Sequence, residues 1–77
     1  MTDYKPIECG LHSEYELLIM RAQRVNIEFQ GANELKQVHT GTPTDMISKN
    51  NAEFLEISSA GRKELIRLDK IIDYTKI

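Results

Sequence analysis

The side chains that could do chemistry in this 77-residue chain are one cysteine, Cys9, and two histidines, His12 and His39. A nucleophilic site needs a thiol, a histidine and an acid in contact, and a zinc site needs Cys or His ligands at short spacing. Cys9 has no Cys-x-x-Cys partner, and the histidines form no His-x-x-x-His pair. The sequence therefore predicts a protein that is not an enzyme and has no metal or cofactor. Cys9 is expected to be a reduced, poorly reactive thiol packed near the start of a helix.

The amino-acid composition narrows the kinds of molecule that this protein could bind. Hydrophobic residues make up 40% and charged residues 29% of the chain, which predicts one globular domain over residues 1–77. Ten basic residues against twelve acidic ones give a net charge of -2, which argues against nonspecific nucleic-acid binding. The single cysteine, with no apolar span or leader pattern, predicts a cytoplasmic protein. Acids at the N-terminal end could face a basic protein surface or be ordinary solvated surface: Asp3, Glu8, Glu14 and Glu16.

One amphipathic helix is expected near the N-terminus. Ser13 and Glu16 fit a capping box, which predicts that the helix begins at Ser13. Apolar residues at i, i+3, i+4 and i+7 form one face: Tyr15, Leu18, Ile19 and Ala22. The opposite face mixes charged and apolar residues: Glu14, Glu16, Leu17, Met20 and Arg21. Exposed Leu17 and Met20 would mark an interface, or a sheet edge or the N-terminal arm would cover them.

After the helix the apolar period changes to two, which is typical of strands. Residues 24–30 place Val25, Ile27 and Phe29 on one side of a strand. A turn at 31–33 leads to a less regular strand at 34–40, which residues 41–45 are expected to end.

The second half of the chain predicts one loop and three further strands. Residues 48–51 read as a polar loop, and residues 52–57 are apolar on both faces, as in an interior strand. Residues 63–68 and 71–74 complete the sheet, with Asp69 and Lys70 as a local ion pair between them. The strand core is expected to be Val25, Ile27, Phe29, Phe54, Leu55, Ile57, Ile66 and Leu68, with Leu18 and Ile19 packed on it.

Helix followed by four or five short strands predicts an α+β fold. The N-terminal helix would pack on a small, strongly bent antiparallel sheet or open barrel. The Sm-like fold has this order of elements, and an OB-like barrel is the alternative.

Five short motifs, in order along nearly the whole chain, resemble the bacterial Rho-binding antiterminator (Rof) family. The opening Tyr4-x-Pro6-Ile7-x-Cys9 is similar to the family's opening signature, and Glu53-Phe54-Leu55 to its Glu-Tyr-Leu. The other matches are Glu16-Leu17, then Asp45, Ser48, Lys49 and Asn51, and the closing Arg67-Leu68-Asp69-Lys70-Ile71. One stretch departs from the family, because Gly10-Leu11-His12-Ser13 stands where the family has an acidic run.

The resemblance implies an Sm-like protein that binds the RNA-binding region of the transcription termination factor Rho and competes with RNA. It places Glu16 on the contacting helix and Lys49 and Asn51 in the contacting loop. Glu14, Leu17 and Met20 join these candidates because the helical spacing puts them on the same exposed face. The alternative is a small Sm-like RNA-binding module, which would need a basic face assembled from Arg21, Arg24, Arg62, Lys63 and Arg67.

Overall fold

The structure is a computed structural model that describes residues 5–31 and 33–77. One helix, α1 (Cys9–Met20), precedes β1 (Val25–Gln30), β2 (Lys36–Lys49), β3 (Ala52–Ser59), β4 (Arg62–Arg67), a 3₁₀ turn (Leu68–Lys70) and β5 (Ile71–Lys76). The five strands form one antiparallel sheet in the order β4-β3-β2-β1-β5. This confirms the predicted α+β fold with an N-terminal helix on an antiparallel sheet. In the described part of the chain, no helix has the length and apolar character needed to cross a membrane.

The helix begins at Cys9, four residues before the predicted start, so the prediction of a capping box at Ser13 is wrong. Glu8 is the cap residue, and its side chain makes no capping hydrogen bond. The backbone amide of His12 donates to the carbonyl of Glu8 at 3.0 Å, which closes the first turn. Leu11 packs against the core one turn before Tyr15, and this burial extends the helix past the local capping signal. The opening segment was expected to be extended through Cys9; Cys9 is instead helical, and Tyr4 lies outside the described residues.

The helix ends in a Schellman motif. Ala22 has a φ of 49°, and its amide donates to the carbonyl of Ile19 at 3.1 Å. The amide of Gln23 donates to the carbonyl of Leu18 at 3.0 Å. Ala22 is therefore an exposed capping residue, and its predicted place on the apolar helix face is wrong.

Strand β2 continues through the segment that was expected to break it. Its first half pairs with β1 and its second half with β3. Gly41 lies where the partners change, and a Cβ atom there would come within 2.5 Å of Ile57 Cγ2 and 2.7 Å of the Ser58 carbonyl oxygen. Pro43 lies next to a bulge: it pairs with Ile57, whereas Asp45, two residues later, pairs with Glu56, the residue before Ile57. Glycine and proline thus shape this strand without ending it, because a bulge tolerates a missing amide and bends the chain.

Tight turns join β2 to β3 and β3 to β4. Asn50 and Asn51 both have positive φ, 52° and 61°, as do Ala60 and Gly61, 51° and 80°. Two consecutive positive φ values are typical of the type I′ hairpin turn. The predicted loop at 48–51 is therefore wrong in part, because Ser48 and Lys49 belong to β2. The predicted turn at 31–33 includes Ala32, which lies outside the described residues.

The core lies between α1 and one face of the sheet. Its fully or nearly buried members are Tyr15, Leu18, Val25, Ile27, Leu55, Ile57, Ile66 and Leu68, and Phe29 and Ile19 pack partly against them. Phe54 was expected to be in this core, and that prediction is wrong. It is half-buried on the opposite side of β3 from Leu55, because successive strand residues point to opposite faces. Tyr15, 1% exposed, was predicted on the apolar helix face but was not expected among the main core residues.

The closing motif pairs Asp69 with Arg67, not with Lys70 as expected. Arg67 Nη2 and Nε donate to the two Asp69 carboxylate oxygens at 2.6 and 2.8 Å. The Lys5 backbone amide also donates to Asp69 at 3.1 Å, which ties the N-terminal arm to the 3₁₀ turn. The hydrogen bond from Arg67 is the main cause that lowers the pKa of Asp69 from its ordinary value of 3.8.

Candidate functional site

Helix α1 presents an exposed apolar ridge made of Leu17 and Met20. Leu17 is 44% and Met20 79% exposed, although both are large apolar side chains. The two lie three residues apart and so share one side of the helix. None of the described residues covers Met20 to any large extent, which leaves the ridge available for an interface.

Glu14 and Glu16 lie on opposite flanks of this ridge, not side by side. Two residues correspond to about 200° of rotation around a helix. Glu14 faces β5, where it accepts a hydrogen bond from the Tyr74 hydroxyl at 2.5 Å. The Tyr74 ring packs on Tyr15 with centroids 5.9 Å apart. Glu14 therefore helps to hold α1 on β5 as well as contributing charge to the surface.

The tyrosines at this flank are held in their protonated form. The hydrogen bond to Glu14, followed by burial, raises the pKa of Tyr74 to about 12. Burial is the main cause that raises the pKa of Tyr15 to about 12. Both side chains remain neutral at physiological pH, and the Tyr74 hydroxyl stays a donor to Glu14.

Glu16 faces the other flank, where a histidine joins it to the sheet. His12 Nδ1 lies 3.1 Å from Glu16 Oε1, and His12 Nε2 lies 3.3 Å from Glu53 Oε2 on β3. A neutral imidazole has one N–H, whereas a protonated one has two. Protonated His12 can therefore donate to both carboxylates at once and link α1 to β3.

A groove runs along this flank between α1 and strands β2 and β3, and it is called the acidic groove here. Its volume is about 380 Å³. Three carboxylates, one imidazole and three apolar side chains line it: Glu16, Asp45, Glu53, His12, Ile19, Met20 and Met46. Of the described residues that line this groove, none is Lys or Arg.

The groove on the β5 flank has a different charge. It has a volume of about 120 Å³, and it includes two cations and one carboxylate among Glu14, Leu17, Leu18, Arg21, Gln23, Tyr74 and Lys76. The exposed side of α1 is therefore not uniformly acidic. Negative charge is concentrated on the side that faces β2 and β3.

Lys49 and Asn51 lie at the hairpin that joins β2 and β3. Lys49 ends β2 opposite Ala52, and Asn51 occupies a turn position with positive φ. Both side chains are exposed, and neither lines the acidic groove or the groove on the β5 flank. The structure thus brings Leu17, Met20 and Glu16 together on α1 and places Lys49 and Asn51 on different elements, at the end of β2 and in the turn that follows.

The residues singled out for their chemistry lie on two elements, Cys9 and His12 on α1 and His39 on β2. Cys9 is exposed as the first residue of α1, so the prediction that it is packed against the fold is wrong. His39 lies in β2, with Nδ1 3.5 Å from Glu64 Oε2 and with Nε2 buried and without a hydrogen-bond partner in the described part of the chain. Across residues 5–31 and 33–77, no three His, Cys, Asp or Glu side chains are grouped as metal ligands.

Five residues of the acidic groove were missing from the sequence-based site candidates: His12, Ile19, Asp45, Met46 and Glu53. The His12–Glu16 pair has the i, i+4 spacing of helix neighbours. It could have been found from the sequence if the helix had been started at Cys9. Asp45 and Met46 could not, because the groove forms only after β2 continues past Pro43.

No protein-family model matches the chain. Two curated proteins match it over 72 residues with 28% identity: protein rof of Escherichia coli (strain K12) and protein rof of Shigella flexneri. In each case the match covers 94% of this chain and 81% of the relative. The chain is thus similar over nearly its whole length to proteins named rof, which bears out the resemblance to the Rof family that its five motifs carried.

Proposed function

We propose that this protein inhibits Rho-dependent transcription termination by binding the RNA-binding domain of Rho and excluding RNA. The observation that carries the proposal is the exposed ridge of Leu17 and Met20 with Glu16 beside it. The relation to the rof proteins supports the choice of partner. The order of one helix and five antiparallel strands supports an Sm-like fold as part of the same proposal.

Charge complementarity gives the physical reason for competition. RNA-binding surfaces of proteins carry Lys and Arg to meet phosphates. Carboxylates on a rigid helix can face the same cations, and the neighbouring apolar ridge can be buried at the centre of the contact. One surface of the partner would then bind either this protein or RNA, but not both.

The hairpin residues Lys49 and Asn51 belong to the proposed surface on the strength of the family resemblance. Both are exposed at one end of the sheet and available to a partner. Asn51→Gly is a useful variant, because glycine tolerates the positive φ of this position while the side chain is removed. Loss of Rho binding with an unchanged unfolding midpoint would support a contact by the Asn51 side chain.

The decisive experiment is competition between the purified protein and a labelled cytidine-rich RNA for purified Rho. We expect the protein to displace the RNA, and Glu16→Lys to weaken displacement because like charges would then face each other. Met20→Ala should weaken binding by about tenfold, since most of the Met20 side chain is exposed and free to be buried.

Glu34→Lys is the matched control. Glu34 is exposed and undergoes the same charge reversal, but it lies beside β1 and β4 rather than α1. RNA that stays bound at saturating protein would refute the proposed function. Equal effects of Glu16→Lys and Glu34→Lys would refute the role of the helix face.

The RNA-binding alternative is less favoured by the structure. It needs five cations on one free basic face, and two of them are already paired with acids. Arg67 binds Asp69, and Lys63 Nζ lies 3.7 Å from Glu56 Oε1. A steep loss of RNA binding by this protein alone with rising salt would instead support the alternative.

A further inference from the structure

The acidic groove is lined by both apolar side chains and carboxylates. Ile19 and Met20 come from α1 and Met46 from β2, and together they provide the apolar surface. Methionine side chains are flexible and polarizable, so they adapt to an inserted group. A side chain that fits such a groove has an apolar stem and a cationic head.

Asp45 is the groove carboxylate best placed to receive that head. Glu16 and Glu53 each direct one oxygen at His12, at 3.1 and 3.3 Å. Asp45 Oδ1 accepts a hydrogen bond from the backbone amide of Met46 at 2.8 Å. In the part of the chain that the structure describes, Asp45 makes no ion pair, and its second oxygen is available to a donor.

The bulge in β2 lies directly before Asp45. Pro43 pairs with Ile57, but Asp45 pairs with the preceding residue, Glu56, so Thr44 is the extra residue. A bulge of this kind re-aims the side chains that follow it. Asp45 and Met46, the two residues that follow the extra residue, both line the groove beside the helix.

We propose that the acidic groove receives an arginine side chain of the partner protein, with its guanidinium group at Asp45 and its stem on Met20 and Met46. This rests on the proposed function for the identity of the partner. A planar guanidinium is weakly hydrated and presents several donors in a fork that matches a carboxylate, whereas a lysine ammonium is a strongly hydrated point charge. The groove excludes anions such as RNA phosphates, because its charged rim is acidic.

The first arm of the test uses a small probe and does not require Rho. ¹⁵N-labelled protein is titrated with N-acetyl-arginine amide and, separately, with N-acetyl-citrulline amide, which has nearly the same shape but no charge. We expect the arginine probe to shift the backbone signals of Ile19, Met20 and Met46, and the citrulline probe to leave them in place. Equal shifts with both probes would overturn the proposal.

The chain offers a closely matched pair of variants, Asp45→Asn and Asp73→Asn. Both aspartates are exposed strand residues, and each accepts the backbone amide of the next residue at 2.8 Å. Only Asp45 lines the acidic groove. The arginine-induced shifts should be lost in Asp45→Asn and kept in Asp73→Asn, and the same response in both variants would overturn the proposal.

The second arm measures the affinity of each protein for purified Rho. Asp45→Asn should weaken binding by about tenfold, the effect of losing one hydrogen bond to a charged group, and Asp73→Asn by less than about twofold. If the wild-type protein binds Rho and the two variants bind alike, the groove proposal fails and the proposed function stands. If the wild-type protein does not bind Rho while the groove still selects the arginine probe, the proposed function fails and the groove proposal stands for another partner.

Discussion

Replacing Leu55 by alanine tests the placement of β3, the strand that carries Glu53 at the edge of the acidic groove. Leu55 is 0% exposed and lies between Met46 on β2 and Ile66 on β4. Leu→Ala at a fully buried site costs about 2–5 kcal/mol through lost burial and a residual cavity. A chain of 77 residues has a total stability of about 4–12 kcal/mol. The substitution should therefore remove a large share of the free energy of unfolding.

Phe54→Ala is the matched control, one residue away on the opposite face. Burying a whole phenylalanine side chain stabilises by about 1.5–3 kcal/mol, and Phe54 keeps a minor exposed part, so its loss should cost about 1–2 kcal/mol, less than the loss of Leu55. Side-chain size alone would give the reverse order, with phenylalanine the more costly to remove.

The assay is urea unfolding followed by circular dichroism, with the midpoint and slope fitted for each variant. If Leu55→Ala is too unstable for a native baseline, Ile57→Val at a neighbouring 0% exposed position should cost about 0.5–1.5 kcal/mol. A Phe54→Ala variant as destabilised as Leu55→Ala would refute the assigned faces of β3.

Three further predictions concern titration and accessibility. Burial raises the pKa of Tyr15, and mainly a hydrogen bond to the helix raises that of Tyr74, from 10.0 to about 12 in each case. The stability that the two protonated tyrosines contribute should thus be fully present below pH 10.0 and lost as the pH rises toward 12. Between these pH values, Tyr74→Phe should lose less of its free energy of unfolding than the wild-type protein does. Because the pKa of Asp69 is lowered in the folded state, its carboxylate contributes stability that is present above pH 3.8 and lost as the pH falls through the folded-state pKa. The stability of Asp69→Asn should therefore depend less on pH during acid unfolding. Equal acid midpoints for the variant and the wild-type protein would contradict this. Cys9 is exposed and should react with a thiol reagent nearly as fast in native as in urea-unfolded protein; strong protection in the native state would contradict its placement.

Much of the fold could be predicted from the sequence because its strongest signals are periodic. Val25 and Ile27, both 0% exposed, follow the period of two that predicted β1. Leu55 and Ile57 are equally buried in the strand that was expected to be interior. These patterns depend only on which face of a strand meets the core, and that requirement is local in the chain.

The predictions that were wrong depended on contacts between distant segments. Ser13 and Glu16 have the residue types of a capping box, but burial of Leu11 against the core extends the helix beyond them. Gly41 and Pro43 read as breakers, although the close approach of β3 requires a glycine and the bulge accepts a proline. The core residues around Leu11 and the strand β3 beside Gly41 and Pro43 are distant in sequence, so a local pattern cannot predict these contacts.

The candidate site could be predicted in part for the same reason. Leu17 and Met20 were expected on an exposed helix face, and the structure leaves both exposed. The acidic groove was not expected, because Asp45 and Glu53 reach the helix only through the pairing of β2 with β3.

Mutations of the two acids on α1 must be interpreted separately, because Glu14 and Glu16 contact different strands. Glu14 accepts a hydrogen bond from Tyr74 on β5, and Glu16 shares His12 with Glu53 on β3. Both acids were expected on an exposed helix face, yet each also has a partner within the fold. Replacing both Glu14 and Glu16 with lysine would remove the β5 contact and the groove charge together. A change in Rho binding could then not be assigned to either cause. Charge changes at Asp45, whose carboxylate accepts a hydrogen bond from the next amide of its own strand, separate recognition by the surface from the docking of the helix.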